Sequence, residues 1–272
     1  MAQKLRLMCI LAHPDDESLG MGGTLAKYAD EGVETYLVTA TRGERGWWGE
    51  EKDYPGLEAL GRTRERELLC AAESLGIKET NILNYIDGDL DQANPREVIA
   101  QITDPIRRLK PDVVVTFAPE GAYGHPDHIA ISQFATAAVV KAASPTDGSG
   151  EIPNPFPAHQ VSKLYYMAWT QSKWAAYESV FGNMVMNIEG IERHTQPWPE
   201  WAITTVIHTE SYWPKVWKAV SCHQSQLVAY NKLQFLSEEH HKGLWGTQEF
   251  YRAFSLVNGG RSREADLFDG LR

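Results

Sequence analysis

Two short clusters hold the residues most able to do chemistry. Ala12-His13-Pro14-Asp15-Asp16-Glu17 follows the apolar run Leu5 to Leu11, and Tyr123-Gly124-His125-Pro126-Asp127-His128 follows a second run, Val113 to Phe117. His13 and Asp16 from the first cluster and His128 from the second make a two-imidazole, one-carboxylate donor set. That set suits zinc and leaves a coordination position for water. Ferrous iron takes the same donor types, so iron or another divalent ion is the alternative. A divalent ion brings the pKa of its water towards neutrality. Asp15, adjacent to a ligand but projecting to another side, is the candidate general base. Hydrolysis also needs a group to meet the developing oxyanion, for which His125 and Tyr123 are the candidates. Asp127 is expected to hold the His125 ring and favour its charged form. Taken singly, His-Pro is an ordinary turn, and Asp-Asp before a helix an ordinary cap. Their joint occurrence at two strand ends points to a metal site.

The intervening chain must bring these clusters together. Leu5–Ala12 reads as a strand covered on both faces, and residues 16–30 as a helix stopped by Gly32. Val33–Thr41 reads as a second strand, 58–75 as a helix ended by Gly76, and 81–85 as a short third strand. Pro95 opens a helix to Leu109, Val113–Phe117 is strand four, and 128–142 is again helical. This alternation predicts an α/β, Rossmann-like, doubly wound and mostly parallel sheet with helices on both faces. In the order 3-2-1-4-5, strands one and four are neighbours, and a crevice opens beyond their carboxyl ends. Gly20-Met21-Gly22-Gly23 lies inside the first helix without phosphate-loop spacing and reads as close helix–sheet packing.

Beyond residue 143 the pattern weakens into an irregular C-terminal extension. Residues 144–159 read as a Pro/Gly/Ser-rich loop, 163–169 and 203–208 as strands, and 212–230 as a helix; 197–201 and the tail past Gly243 have no assignment. Most of the nine tryptophans lie here, and packing is the simpler explanation for them than a sugar-lined wall. The expectation is one domain over 1–272, with the motifs in 1–142 and an extension in 143–272.

A net charge of −10 argues against nucleic acid as a partner, since such proteins show a basic face. No apolar window reaches membrane-spanning length, and the N-terminal apolar run lacks the pattern of a signal peptide. Three widely spaced cysteines, Cys9, Cys70 and Cys222, do not make a disulfide framework. Cys9 and Cys70 read as buried, inert thiols in a cytoplasmic protein. A homo-oligomer is compatible with all of this.

The two clusters resemble the signature of the PIG-L (LmbE-like) N-acetylglucosaminyl de-N-acetylase family, and the resemblance covers roughly residues 5–142. The longer Tyr-Gly-His-Pro-Asp-His form is similar to that of mycothiol-pathway deacetylases. The resemblance implies zinc on His13, Asp16 and His128, and Asp15 as base. It implies charge stabilisation or acid catalysis by His125 with Asp127 in support, and Tyr123 beside the oxyanion. It further implies that Glu44, Arg64 and Asp87 meet the sugar; a solvated helix face is the plainer reading of Arg64. His223-x-Ser225-Gln226 resembles a C-terminal family segment, with a helix-surface histidine as the alternative. The implied activity is zinc-dependent hydrolysis of the acetamide of an N-acetylglucosamine-type small molecule. A mycothiol-conjugate-type amidase and a catalytically silent metal- or sugar-binding module are the alternatives. The intact Asp15 speaks against the silent module, because a binder needs no base.

Overall fold

Strand β1 (Arg6–Leu11) is buried from Leu7 onward, which requires layers on both of its faces. The computed structural model, describing residues 4–145, 155–182, 185–188, 190–229, 231–260 and 262–272, provides them. After β1 come α1 (Asp16–Leu19), α2 (Gly22–Asp30), β2 (Glu34–Thr41), α3 (Leu57–Leu75), β3 (Ile77–Tyr85), α4 (Pro95–Leu109) and β4 (Val113–Phe117). A single distorted turn, α5 (Gly121–Gly124), leads into α6 (Pro126–Ala143), β5 (Lys163–Met167) and α7 (Gln171–Phe181). The hairpin β6 (Val185–Ile188) and β7 (Ile191–His194), then β8 (Thr205–His208), α8 (Trp213–Val220), α9 (Glu238–Trp245) and β9 (Thr247–Ser255) complete the order. Among the described residues no helix is long and apolar enough to cross a membrane.

The main sheet runs β3-β2-β1-β4-β5-β9-β8. Its first five strands are parallel in the expected order, and β9 and β8 join antiparallel. Cys9 sits opposite Leu37 on one side and Val115 on the other, so β1 is a central strand and β4 its direct neighbour.

Several expectations change. The single helix over 16–30 is two helices, broken at Gly20-Met21. Gly20 packs on the sheet as expected, its Cβ position 3.2 Å from Met167 of β5, but a Cβ on Gly23 would lie 2.7 Å from the Cβ of Thr209, and one on Gly22 3.1 Å from Val216 of α8. Strand β3 begins at Ile77 rather than Asn81. The helix expected over 212–230 stops at Val220 and gives way to 3-10 turns, because His223 turns inward rather than lying on a helix surface. The unassigned tail contains β9, which inserts between β5 and β8. Residues 146–154 of the predicted loop, and Tyr230 at the predicted helix end, lie outside the described residues.

A buried ionic knot fastens that tail. Glu264 accepts from Lys163 Nζ at 2.7 Å, Tyr165 OH at 2.7 Å, Thr205 Oγ1 at 2.8 Å and Arg252 Nη1 at 2.6 Å. Charges this deep persist only when so fully partnered. Burial pushes the Glu264 carboxyl up, yet the Lys163 and Tyr165 bonds prevail and hold it down at about 2.

The cysteine reading is also corrected. Cys9 is a buried free thiol, but Cys70 lies on the exposed side of α3 and is bridged to Cys222. The periodicity of α3 could not reveal a partner 152 residues away. Thiol titration of the denatured, unreduced protein should find one thiol, rising to three after reduction; three without reductant would remove the bridge.

Candidate metal centre and active site

Parallel pairing of β1 with β4 delivers both clusters to one end of the sheet. His13 follows β1 directly, and His128 lies in the first turn of α6, which begins beyond β4. His13 Nδ1 and His128 Nε2 face each other at 3.2 Å. Asp16 supplies Oδ2 at 3.8 Å from His13 Nδ1 and Oδ1 at 3.5 Å from His128 Nε2. Ligand atoms at ~2.1 Å from one tetrahedral ion are about 3.4 Å apart, so the three residues fit a shared divalent cation. They form one of two candidate metal-holding groups among the described residues, the other being His13, His125 and Asp127. The first is favoured because in the second Asp127 is already committed to backbone donors, described below.

The local field also selects for a cation. Burial pushes His13 down, but hydrogen bonds to Asp127 and Asp87 outweigh it, and the ring is held well above its ordinary value. Burial pushes Asp16 up to about 7 despite the opposing His13. His128 is held well below its ordinary range, by burial and then by His13. It therefore presents a neutral nitrogen, as a metal ligand must. Its ring stacks on Phe117 at 3.9 Å between centroids, which fixes the ring plane. Asp16 Oδ2 accepts the N–H groups of Ala12 at 3.2 Å and His13 at 2.8 Å.

The role expected of Asp127 changes. Its carboxylate does not hold the His125 ring. Oδ2 accepts from His13 Nε2 at 3.0 Å and Gly88 N at 2.7 Å, and Oδ1 from Leu90 N at 3.1 Å. Asp127 thus orients the far nitrogen of His13, the usual task of a carboxylate behind a metal-binding histidine. Asp87 Oδ1 shares that nitrogen at 3.1 Å, while its Oδ2 accepts Arg45 N at 3.1 Å. Burial opposes its charge, but the His13 hydrogen bond holds the Asp87 carboxyl well below its usual range.

His125 instead caps α6: its Nδ1 accepts the Asp127 N–H at 3.1 Å. The neutral ring therefore carries its proton on Nε2 and is a donor there. Far from being charged, it is lowered to about 4, by burial and then by His13. The Tyr123 ring lies 6.1 Å from that of His125 and 5.4 Å from that of His128, and burial pushes its hydroxyl up. Gly124, at φ +80°, lies against the stem of Arg193, whose Nη1 donates to Gly124 O at 2.9 Å. Trp198 Nε1 donates to Glu120 at 2.8 Å on the same loop.

Asp15 is held from both sides. Arg64, buried rather than on a solvated face, donates Nη2 to Asp15 Oδ2 at 3.1 Å and to Pro14 O at 2.5 Å, and Nη1 to Gly43 O at 2.8 Å. The Asp15 backbone sits at φ +110°, a region few side-chain-bearing residues adopt. Glu44 Oε2 accepts the Arg42 N–H at 3.1 Å, closing its own turn.

A family model described as GlcNAc-PI de-N-acetylase (PIG-L) matches residues 8–139. The chain is 33% identical to a 1D-myo-inositol 2-acetamido-2-deoxy-α-D-glucopyranoside deacetylase of Kineococcus radiotolerans, across 99% of this chain and 84% of that protein. A protein of the same description from Rhodococcus jostii is also 33% identical, across 98% of each. The chain belongs to the PIG-L family. It is an enzyme of the deacetylase class, an amide hydrolase. The likeness is not confined to 5–142 but runs through the C-terminal half. The N,N'-diacetylchitobiose deacetylase of Pyrococcus horikoshii shares the fold, with a TM-score of 0.66 and 24% identity over 91% of this chain and 83% of that one.

Sequence reasoning missed Arg193 and Trp198 in this PIG-L chain because neither belongs to a motif or a periodic element. Replacing Asp127 by Asn should weaken divalent-ion binding roughly 10- to 100-fold, as loss of a carboxylate behind a ligand does. Replacing His128 by Ala should abolish it, with dialysis and elemental analysis as the readout. Unchanged metal content in His128→Ala would remove the site.

Proposed function

We propose that the chain is a metal-dependent N-deacetylase that hydrolyses the acetamide of an N-acetylglucosamine-type sugar, with zinc the first choice of ion. The first substrate to try is the GlcNAc–inositol named for its relatives. The observation that carries the reading is the convergence of His13, Asp16 and His128 within reach of one ion, next to an arginine-held aspartate. The proposal treats 1–272 as one domain and takes His13, Asp16 and His128 as ligands, Asp15 as base and His125 with Tyr123 at the oxyanion. A divalent ion there would supply Lewis acidity towards water and the amide carbonyl.

The chain's own groups divide the remaining work. Asp15 takes the proton of the attacking water; Arg64, bound to its Oδ2, aims the carboxylate. The Nε2–H of His125, set by the cap on Nδ1, donates towards the carbonyl oxygen as charge develops there. The leaving amine needs a proton, which Asp15 can return after the attack. Asp127 and Asp87 hold His13 by its Nε2. For Glu44 and Asp87 the proposal retains contact with sugar hydroxyls, and for Arg64 a second contact with substrate beside its grip on Asp15. The larger-conjugate amidase and the silent binder have no specific observation in their favour.

The zinc-loaded protein incubated with GlcNAc–inositol and simpler N-acetylglucosamine conjugates should release acetate. Asp15→Asn should lower kcat by about 100- to 10,000-fold with metal content unchanged. No acetate from a broad panel of acylated amino sugars, with metal bound, would sink the proposal.

A further inference from the structure

Two motif residues have no part in the chemistry above: Glu17, the last acid of the first cluster, and His223, from the other end of the chain. Both are completely buried, as is Ser18. His223 Nε2 meets Glu17 Oε1 at 2.8 Å, Ser18 Oγ donates to the same oxygen at 2.5 Å, and Glu17 Oε2 accepts the backbone N–H of Asp15 at 2.9 Å. Thus one carboxylate links a histidine 206 residues away to the backbone of the proposed base. Burying such a pair is expensive, and apolar residues in its place are often equally stabilising. A reason other than stability is needed, and the Asp15 backbone provides one. At φ +110° it is strained, and strain persists only where the surroundings over-determine it.

We infer that Glu17 and His223 are a positioning pair, which clamps the Asp15 N–H and so sets the direction of the Asp15 carboxylate. This rests on the reading of Asp15 as the base. The segment around His223 is itself anchored to elements that approach Asp15 from the other side. Ser225 donates its N–H and its hydroxyl to the two oxygens of Glu67, each at 2.7 Å, and Gln226 Nε2 donates to Gly46 O at 2.8 Å. Glu67 shares α3 with Arg64, one turn away on the helix. The C-terminal half therefore grips both holders of Asp15, the glutamate on its backbone and the helix of the arginine on its side chain.

The test uses the full chain, zinc-loaded, on the GlcNAc–inositol acetamide, with kcat, KM, metal content and crystal structures of the variants. His223→Phe should lower kcat about 10- to 100-fold, the range of a misplacement of order 1 Å, with KM within about threefold of wild type and metal retained. His223→Gln, whose amide can reach the Nε2 position and donate to Glu17, should recover most of the loss. Glu17→Gln should behave like His223→Gln, because it keeps an acceptor for the Asp15 N–H, whereas Glu17→Ala should behave like His223→Phe. Equal kcat in Phe and Gln variants, or a loss that tracks metal or folded fraction, overturns the inference. If the wild type itself shows no turnover, the functional reading fails separately and the structural arm still decides. Asp15 leaving positive φ in His223→Phe but not in His223→Gln supports the clamp; Asp15 unmoved in both removes it.

Discussion

His13 is the residue through which the site is coupled to the fold, because both its ring nitrogens are committed. Nδ1 faces His128 and Asp16, while Nε2 is held by Asp127 and Asp87. A neutral imidazole has one donor and one acceptor. In the neutral form that a metal ligand requires, Nε2 donating to the two carboxylates would leave Nδ1 as a lone pair aimed at the shared centre. The tautomer a metal ligand requires is thus imposed from outside the centre. Asp127 can do this only because its own oxygens are fixed by the N–H groups of Gly88 and Leu90, in the loop after β3. The candidate metal centre therefore depends on three strand ends, those of β1, β3 and β4.

A second consequence is electrostatic. Asp15, Asp16, Asp87 and Asp127 crowd around buried imidazoles, so the region carries more negative charge than low-dielectric surroundings tolerate without a counter-cation. Burial pushes His13 down, but the hydrogen bonds to Asp127 and Asp87 hold it well above its ordinary value. Arg64 pairs directly with Asp15 and also favours the charge on Asp87. Arg64 thus partners Asp15 while Asp16 faces His13 and His128, so two adjacent carboxylates sit in different surroundings.

The C-terminal half supplies the outer wall and the clamps. β9 and β8 extend the sheet, the Glu264 knot fastens the tail to β5, and Arg193 on β7 packs on the glycine between Tyr123 and His125. This accounts for relatives that align along nearly the whole chain, although the recognisable motifs occupy only its first half.

From the linear chain alone, the donor types, their spacing within each cluster, and the strand–helix alternation that puts β1 beside β4 were all legible. Each of these is local or follows from a general rule of parallel sheets. The convergence of His13, Asp16 and His128 as a candidate metal set follows from the same rule, since topology brings the two strand ends together. What only the tertiary structure decided are the pairings between distant residues: Asp127 on His13 rather than on His125, Arg64 on Asp15 rather than in solvent, Cys70 on Cys222, and His223 on Glu17. None has a periodic signature, because each partner is chosen by the direction in which a side chain points once a loop has closed. A buried carboxylate must find a donor, but the sequence cannot say which of several nearby donors the packed backbone will turn towards it.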